Sequence, residues 1–356
     1  MKFGLFYEMQ GASDRSDQAL YGEHLKQFEL ADQLGYDCLW LAELHFNRGY
    51  SVMPNPNLAL AAASQVTSRI GLGTGISVLP INHPLRLAEE IATLDLLSGG
   101  RVQWGIGRGH PMTGIYDHFG VDIETSKACF RESLDIILKA WSEERFSFDG
   151  QFYQIDDVEV VPKPAQSGGP SVYVSAFSPD TFALAAEYGT HLFLPAQVTP
   201  KAMIKQAVEG FHAQLQAKGR NPAEHRTPVL LPVYIDEDGD RARRDIERAM
   251  MSYYEIIESM MGDMMARLQR KHAEFPESYK GYLQLGEIVD GLTYEAVCSE
   301  FAIFGTPEEA VDRLREYEAE TGVNDFILWS NVGAMPHDKV SNSMKLFAEK
   351  VMPQLA

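Results

Sequence analysis

The segment that decides the fold is Trp40-Leu41-Ala42-Glu43-Leu44-His45-Phe46, an apolar run that ends in a glutamate and a histidine. In a barrel of parallel strands, residues just beyond the C-terminal end of a strand line the active-site mouth. His45 is therefore the first candidate for a catalytic residue. A core histidine held by one hydrogen bond is the alternative interpretation of the same position.

Around this segment, short β-rich runs alternate with longer helical patterns along the whole chain. Such alternation is typical of βα units that build a parallel sheet, and eight units can be counted. The sequence therefore predicts an α/β fold, a TIM-like (β/α)8 barrel with insertions. The predicted strands cover residues 2–7, 38–42, 70–79, 102–106, 171–176, 191–195, 229–235 and 325–329.

Three helix starts are marked by a hydroxyl residue directly before a proline: Ser178-Pro179, Thr199-Pro200 and Thr306-Pro307. Serine and threonine are favoured as helix caps, and proline is favoured at the first helical position. Glu309 follows Thr306 by three residues, the spacing of a capping box. These three sites are predicted to open helices.

Two segments exceed what an eight-unit barrel needs. Residues 145–170 contain four aromatic residues around the turn Asp149-Gly150 and predict a hairpin-like insertion. Residues from about 262 to 293 separate the seventh helix from the last strand, and loops of that length are usually lids or binding elements. We expect a mobile lid there, within a single domain that spans 1–356.

Composition excludes several classes of function. Of the 356 residues 45% are hydrophobic, and the formal net charge is -19, which argues against binding to nucleic acid or to an anionic membrane. Cys38, Cys129 and Cys298 form no CxxC pair, so neither a disulfide framework nor a metal site is predicted. No apolar run approaches the ~18 residues of a membrane span. We expect a protein of the reducing cytoplasm.

The predicted third strand is rich in glycine, with Gly71, Gly73 and Gly75 within five residues. Glycine weakens a strand, so the backbone either bends sharply or approaches a flat ligand closely. Tight packing inside the barrel is the alternative. The dinucleotide motif GxGxxG is excluded, because Ile76 stands where that motif needs a glycine.

A phosphate site is predicted where the fourth and fifth strands end. Arg108, between two glycines and followed by His110, suits a fork-like grip on a phosphate or carboxylate; a structural salt bridge is the alternative. Ser178 and Thr181 lie in the first turn of a helix, whose free N–H groups and dipole attract anions. A purely capping role for Ser178 is the alternative, and Asp180 would repel a phosphate unless it points away.

Two further patterns are interpreted as structural. A helical stripe predicts core packing and consists of Met250, Ile257, Met261, Met264 and Leu268. A basic cluster predicts a solvated face and consists of Arg267, Arg270, Lys271 and His272.

In order and spacing, many segments resemble the bacterial luciferase-like flavin monooxygenases, a family that includes the luciferase α subunits (alkanal monooxygenases). The matching segments include Met1-Lys2-Phe3-Gly4, Trp40 to Phe46, Gly105-Ile106-Gly107-Arg108-Gly109, Phe119-Gly120-Val121-Asp122, Gly305-Thr306-Pro307-Glu308-Glu309 and Ser343-Met344-Lys345-Leu346-Phe347. The resemblance implies a TIM-like barrel that binds reduced FMN and uses O2, while a separate flavin reductase supplies FMNH2.

Carried over residue by residue, the resemblance assigns a flavin site. Arg108, Ser178 and Thr181 match the family's phosphate ligands, and Gly75-Ile76 matches a non-prolyl cis peptide bond beneath the isoalloxazine ring. Residues 262–293 match the mobile loop. The full set of expected cofactor-binding residues is Gly75, Ile76, Arg108, His110, Ala176, Phe177, Ser178 and Thr181.

The chain also departs from the luciferases at three positions. Leu44 replaces their catalytic histidine, so only the second of two histidines remains, as His45. Gly107 replaces a reactive cysteine, which we expect to leave extra room over the ring, and Phe177 replaces a glutamate that contacts the flavin. The resemblance therefore does not extend to light emission from an aldehyde.

The predicted function is an FMNH2- and O2-dependent two-component monooxygenase. It would oxidise a small, largely apolar organic substrate through a flavin C4a-(hydro)peroxide, with His45 orienting the peroxide or acting as general acid or base. An F420-dependent hydride-transfer oxidoreductase of the same fold and a non-catalytic flavin-binding protein are the alternatives. We expect a homodimer.

Overall fold

The structure is a computed structural model that describes residues 1–176, 178–271 and 286–356. The strands are β1 (Lys2–Tyr7), β2 (Cys38–Leu41), β3 (Gly71–Thr74), β4 (Ser77–Val78), β5 (Val102–Gly107), β6 (Phe146–Asp149), β7 (Gln154–Val158), β8 (Ser171–Ser175), β9 (His191–Phe193), β10 (Val229–Ile235), β11 (Ile303–Gly305) and β12 (Asp325–Trp329). The helices are α1 (Asp17–Leu34), α2 (Pro56–Val66), α3 (Pro84–Ser98), α4 (Ile115–Phe119), α5 (Ser126–Ser142), α6 (Pro179–Tyr188), α7 (Lys201–Ala217), α8 (Gly239–Lys271), α9 (Tyr294–Ala296), α10 (Pro307–Thr321), α11 (His337–Leu346) and α12 (Met352–Leu355).

The main sheet is parallel and closes on itself. Its order runs β10-β12-β1-β2-β3-β5-β8-β9, and β9 returns to β10 through a bridge between Leu194 and Val229. The N–H of Leu230 donates to the carbonyl of Leu194 at 2.8 Å across the same seam. Strands that helices cover on the outside are buried on both faces, which explains their nearly continuous apolar sequences. The predicted TIM-like barrel is confirmed.

Two strand predictions need correction. The segment 70–79 is not one strand, because the chain leaves β3 after Thr74 and re-enters the sheet as β4 at Ser77, where it pairs with β5. In addition, β11 pairs with the C-terminal half of β10 and was not predicted. Three residues are too few to produce a recognisable alternation.

The barrel interior is aromatic, and the glycines of β3 make room for it. A Cβ atom at Gly73 would lie 2.5 Å from the ring of Trp40. That ring packs 5.5 Å from Phe193 and 5.0 Å from Tyr173, measured between ring centroids. The packing interpretation is therefore correct for Gly73.

The helix starts follow the sequence in part. Thr306 and Glu309 form the predicted capping box: the Glu309 N–H donates to Thr306 Oγ1 at 3.2 Å, and the Thr306 N–H donates to Glu309 Oε2 at 2.7 Å. The prediction for Thr199 is wrong, because Pro200 is the cap residue of α7.

The structure bears differently on the predicted hairpin-like insertion and on the predicted lid. Residues 145–170 contain the antiparallel hairpin of β6 and β7. The lid predicted for 262–293 begins too early, because α8 continues as regular helix to Lys271. Residues 272–285 lie outside the described residues, so the lid and the single-domain organisation of 1–356 stay predictions. The methionine stripe of α8 is buried, as predicted for core packing.

Candidate active site

Glu43 and His45 form a pair just beyond β2. Glu43 Oε2 accepts the backbone N–H of Val78 at 2.7 Å, and Glu43 Oε1 accepts a hydrogen bond from Asn82 Nδ2 at 3.2 Å. His45 Nε2 lies 3.4 Å from Glu43 Oε1, and both side chains are 9% exposed. The carboxylate is thus fixed by the segment that contains β4 and in turn orients the imidazole.

His45 belongs to the mouth of the barrel and not to its core. Its ring packs 5.2 Å from Phe119 and 5.4 Å from Phe46, two side chains that are 44% and 58% exposed. The position of His45 is as predicted, and its catalytic role stays a prediction.

His110 is a second imidazole in the same region, two residues beyond Arg108. Its ring packs edge-on to Tyr50 at 5.5 Å, and both ring nitrogens are buried without a hydrogen-bond partner among the described residues. Burial lowers the pKa of His110 to about 4, and the nearby His45 contributes in the same direction. At neutral pH the ring is therefore uncharged and offers one donor and one acceptor.

Arg108 follows β5, where β5 lies beside β8. Its carbonyl oxygen accepts a hydrogen bond from the Tyr116 hydroxyl at 2.5 Å, which holds the backbone. Across residues 1–176, 178–271 and 286–356, its guanidinium has no hydrogen bond or ion pair. The salt-bridge alternative therefore fails for the described residues, and the cationic group is available to a ligand.

Ser178 and Thr181 face each other at the start of α6. Their hydroxyl oxygens are 3.1 Å apart, and Ser178 makes no side-chain capping bond although it occupies the cap position. The predicted helix start at Ser178-Pro179 is confirmed, but the Ser178 hydroxyl pairs with Thr181 and not with the backbone of the first turn. Asp180 forms an ion pair with Lys127 at 2.6 Å, and its side chain is 73% exposed, so it points away from the two hydroxyls.

The remaining predicted residues that the structure describes are Gly75, Ile76 and Ala176. The Gly75-Ile76 peptide bond is cis, as the resemblance implied. Ala176 is buried and donates its N–H to the carbonyl of Phe193 at 3.2 Å. Phe177 lies outside the described residues.

Gly107 does not leave the extra room expected over the ring. A Cβ atom at this position would lie 2.3 Å from Ile76 Cδ1 and 3.5 Å from the Cβ of Ser175. The side chain of Ile76 therefore occupies the space that a cysteine at position 107 would need.

Arg267 was predicted to belong to a solvated face, and this is wrong. Its Nη2 donates to the carbonyl of Pro111 at 3.1 Å and also contacts the carbonyl of Met112. The guanidinium thereby ties α8 to the segment that follows Arg108 and His110.

One residue of the mouth was missed by the sequence analysis. Glu8 comes directly after β1, is 3% exposed, and its Oε2 has no hydrogen-bond partner among the described residues. Burial raises the pKa of Glu8 well above its usual range. The signal that identified His45, a polar residue just beyond a buried strand, also applies to Glu8.

Two kinds of site are absent from the described part of the chain. No group of three or more His, Cys, Asp or Glu residues in that part is arranged to hold a metal ion. Among the helices it contains, none is both long and apolar enough to span a bilayer.

Comparison with known proteins identifies a family. The family model for luciferase-like monooxygenases matches residues 1–325. The oxygenase component of a flavin-dependent trigonelline monooxygenase from Acinetobacter baylyi is 28% identical, over 99% of this chain and 95% of its own length. The alkanal monooxygenase alpha chain of Photorhabdus luminescens is 26% identical, over 100% of this chain and 97% of its own.

Solved structures show the same fold. Monooxygenase RslO1 from Streptomyces bottropensis superposes with a TM-score of 0.86 at 27% identity, and each chain is covered completely. An F420-dependent secondary alcohol dehydrogenase has a TM-score of 0.77 at 19% identity, covering 100% of this chain and 99% of its own. At that identity the likeness concerns the fold alone, so the fold does not choose between FMN and F420.

Proposed function

The chain belongs to the luciferase-like monooxygenase family, and we propose that it is the oxygenase component of a two-component enzyme. It takes FMNH2 from a separate flavin reductase and uses O2 to oxidise a small, largely apolar organic molecule. The similarity to a flavin-dependent oxygenase component supports this assignment. The substrates in the names of the relatives differ, so none is transferred to this chain.

The observation that carries the proposal is the guanidinium of Arg108, which has no partner among the described residues and follows β5, the strand that pairs with β8 ahead of Ser178 and Thr181. A cation that the described chain leaves unpaired, two hydroxyl groups and the start of a helix form a donor set that suits a phosphate dianion. The backbone of Gly75 and Ile76 would support the flavin ring, and His110, Ala176 and Phe177 would complete the site.

Bound reduced FMN would supply the electrons that activate O2. The chain itself would supply His45, whose ring Glu43 orients through Nε2. A hydrogen bond donated by Nε2 to Glu43 would leave Nδ1 as the nitrogen that accepts a proton. We assign to this nitrogen the proton transfers at the reacting oxygen.

Binding and oxygen consumption test the proposal together. Under argon, the protein is titrated with reduced FMN and with reduced F420, followed by protein fluorescence, and oxygen is then admitted. We expect tight binding of FMN, and reoxidation at a rate that differs from that of free reduced FMN. Preferential binding of F420 without oxygen consumption would support the hydride-transfer alternative. Reoxidation of bound FMN at the rate of free reduced FMN would support a protein that only binds flavin.

The proposal includes a homodimer in the cytoplasm. Leu96 and Leu97 are adjacent apolar residues in the last turn of α3, 48% and 53% exposed, and self-association would cover them. Cys38, Cys129 and Cys298 are free thiols, in keeping with a reducing compartment.

A further inference from the structure

Glu8 is not among the residues assigned to the flavin. The backbone around it is fixed, because Ser51 Oγ donates to the Glu8 carbonyl at 2.5 Å. The side chain is buried, and Oε2 has no hydrogen-bond partner among the described residues. Buried polar groups are nearly always paired, so an unpaired carboxyl beside an active site indicates a group that binds a ligand.

The direction of the Glu8 side chain follows from the alternation along β1. Gly4 faces Trp40 inside the barrel, and Phe6 packs against Phe193 at 6.5 Å and Trp329 at 6.0 Å. Alternate residues of a strand share a face, so Glu8 continues this inward-facing series. Its carboxyl group therefore lies above the aromatic interior, at the C-terminal end of the barrel.

An aromatic cluster begins at Trp329, whose ring packs 6.0 Å from Phe6, the inward-facing residue two positions before Glu8. Tyr253 of α8 packs 4.6 Å from Trp329 and 6.1 Å from Tyr50. Burial raises the pKa of Tyr253, and the charge of Glu8 acts in the same direction. Trp329 Nε1 is also buried without a partner among the described residues.

The charge around Glu8 is not balanced by the described chain. Burial is the cause of its raised pKa, and no described lysine or arginine acts on it in the opposite direction. Burial alone favours the neutral carboxyl group, so ionisation of Glu8 is coupled to the arrival of a positive charge. A cation would pair with the ionised carboxylate and face aromatic rings, and both interactions are favourable in a desolvated site.

We propose that Glu8, together with Tyr50, Tyr253 and Trp329, binds a positively charged nitrogen of the substrate. The substrate class is a small molecule with an apolar body and one protonated amine or quaternary nitrogen. The apolar body faces Phe6 and the interior of the barrel. This inference rests on the proposed function, which it refines by adding a charge to a largely apolar substrate.

A pair of probes that differ in charge tests the site directly. Benzylammonium and benzyl alcohol have nearly the same shape, and their affinities are measured by calorimetry on the full-length protein saturated with oxidised FMN. We expect the wild type to bind benzylammonium at least about tenfold more tightly than benzyl alcohol, as for one charge-assisted contact. Glu8→Gln keeps the size and removes the charge, so the preference falls below about twofold. The control Glu159→Gln, whose side chain is 51% exposed, leaves it unchanged.

Several outcomes overturn the inference. They are equal affinity of the wild type for both probes, no binding of either probe, and a preference that persists in Glu8→Gln. If Glu8→Gln does not fold, Tyr253→Leu replaces it and is expected to weaken benzylammonium more than benzyl alcohol; an equal loss contradicts the inference. FMN affinity on the same samples separates the two claims: normal FMN binding without a charge preference refutes only this inference, whereas a charge preference without FMN binding refutes the proposed function.

Discussion

Replacing Arg108 by alanine removes a guanidinium that has no hydrogen bond or ion pair within the described residues. Because no protein partner loses a contact, the free energy of unfolding is expected to change by no more than about 0.5 kcal/mol. A phosphate in the site loses one charge-assisted contact, which is worth about 1.5 to 3 kcal/mol. The dissociation constant for FMN is therefore expected to rise roughly ten- to a hundredfold.

The assay compares two flavins that differ only in the phosphate. Reduced FMN and reduced riboflavin are titrated under argon into the wild type, Arg108→Ala and Arg108→Lys. Lysine keeps the charge but loses the planar fork, so we expect an intermediate affinity for FMN. Arg145→Ala serves as the control, because Arg145 pairs with Asp157 on the distant hairpin of β6 and β7.

The riboflavin titration is the decisive arm. Riboflavin affinity is expected to be the same in all four proteins, because riboflavin has no phosphate to lose. An equal loss of FMN and riboflavin affinity in Arg108→Ala, or no loss of either, would refute the assignment of the phosphate to Arg108.

Three further variants test other parts of the account. His45→Gln is expected to leave the melting temperature and FMN binding unchanged, because Glu43 keeps its bonds to other residues. Substrate oxidation is expected to fall at least about tenfold, and more hydrogen peroxide is released. Normal coupling of oxygen consumption to product formation would contradict this role of His45. His110 has a folded-state pKa of about 4 against an ordinary 6.5, so the unfolded chain binds more protons between these values and stability falls as the pH falls through them. The loss is at most roughly 3 kcal/mol, so urea unfolding of His110→Gln is expected to weaken less between pH 7 and pH 5 than that of the wild type; equal weakening would contradict the buried neutral state. Thr306→Ala breaks the capping box with Glu309 and is expected to cost about 1 kcal/mol in urea unfolding, whereas Thr306→Ser retains the hydroxyl and most of the stability; an equal loss in both variants would argue against the cap.

The barrel was predictable because each of its strands is buried on both faces and is followed by a helix. The glycines of β3 were not interpretable in the same way. A glycine in the sequence indicates that there is no room for a side chain, but it does not identify the group that fills the space. At Gly73 that group is the ring of Trp40, on the neighbouring strand. The cis bond at Gly75-Ile76 was expected only from the family resemblance, because no spacing in the sequence encodes it.

The positions of the site residues along the chain could be predicted, but their hydrogen-bond partners could not. Residues beyond strand ends could be named in advance, but the contact of Glu43 with Val78 joins residues 35 positions apart. The same limit explains the error at Arg267, whose hydrogen bond to the carbonyl of Pro111 joins residues 156 positions apart. Glu8 also lies just beyond a strand, but the sequence does not show that its carboxyl group is buried with an oxygen that lacks a partner among the described residues.

The most direct test of the central claim is isotopic. The enzyme is incubated with FMN, a flavin reductase, NADH and 18O2 in the presence of a panel of small organic molecules, and the products are analysed by mass spectrometry. The account predicts a product that carries one atom of 18O and that fails to form under argon. A product that forms under argon with reduced F420, and not with FMN and oxygen, would contradict it.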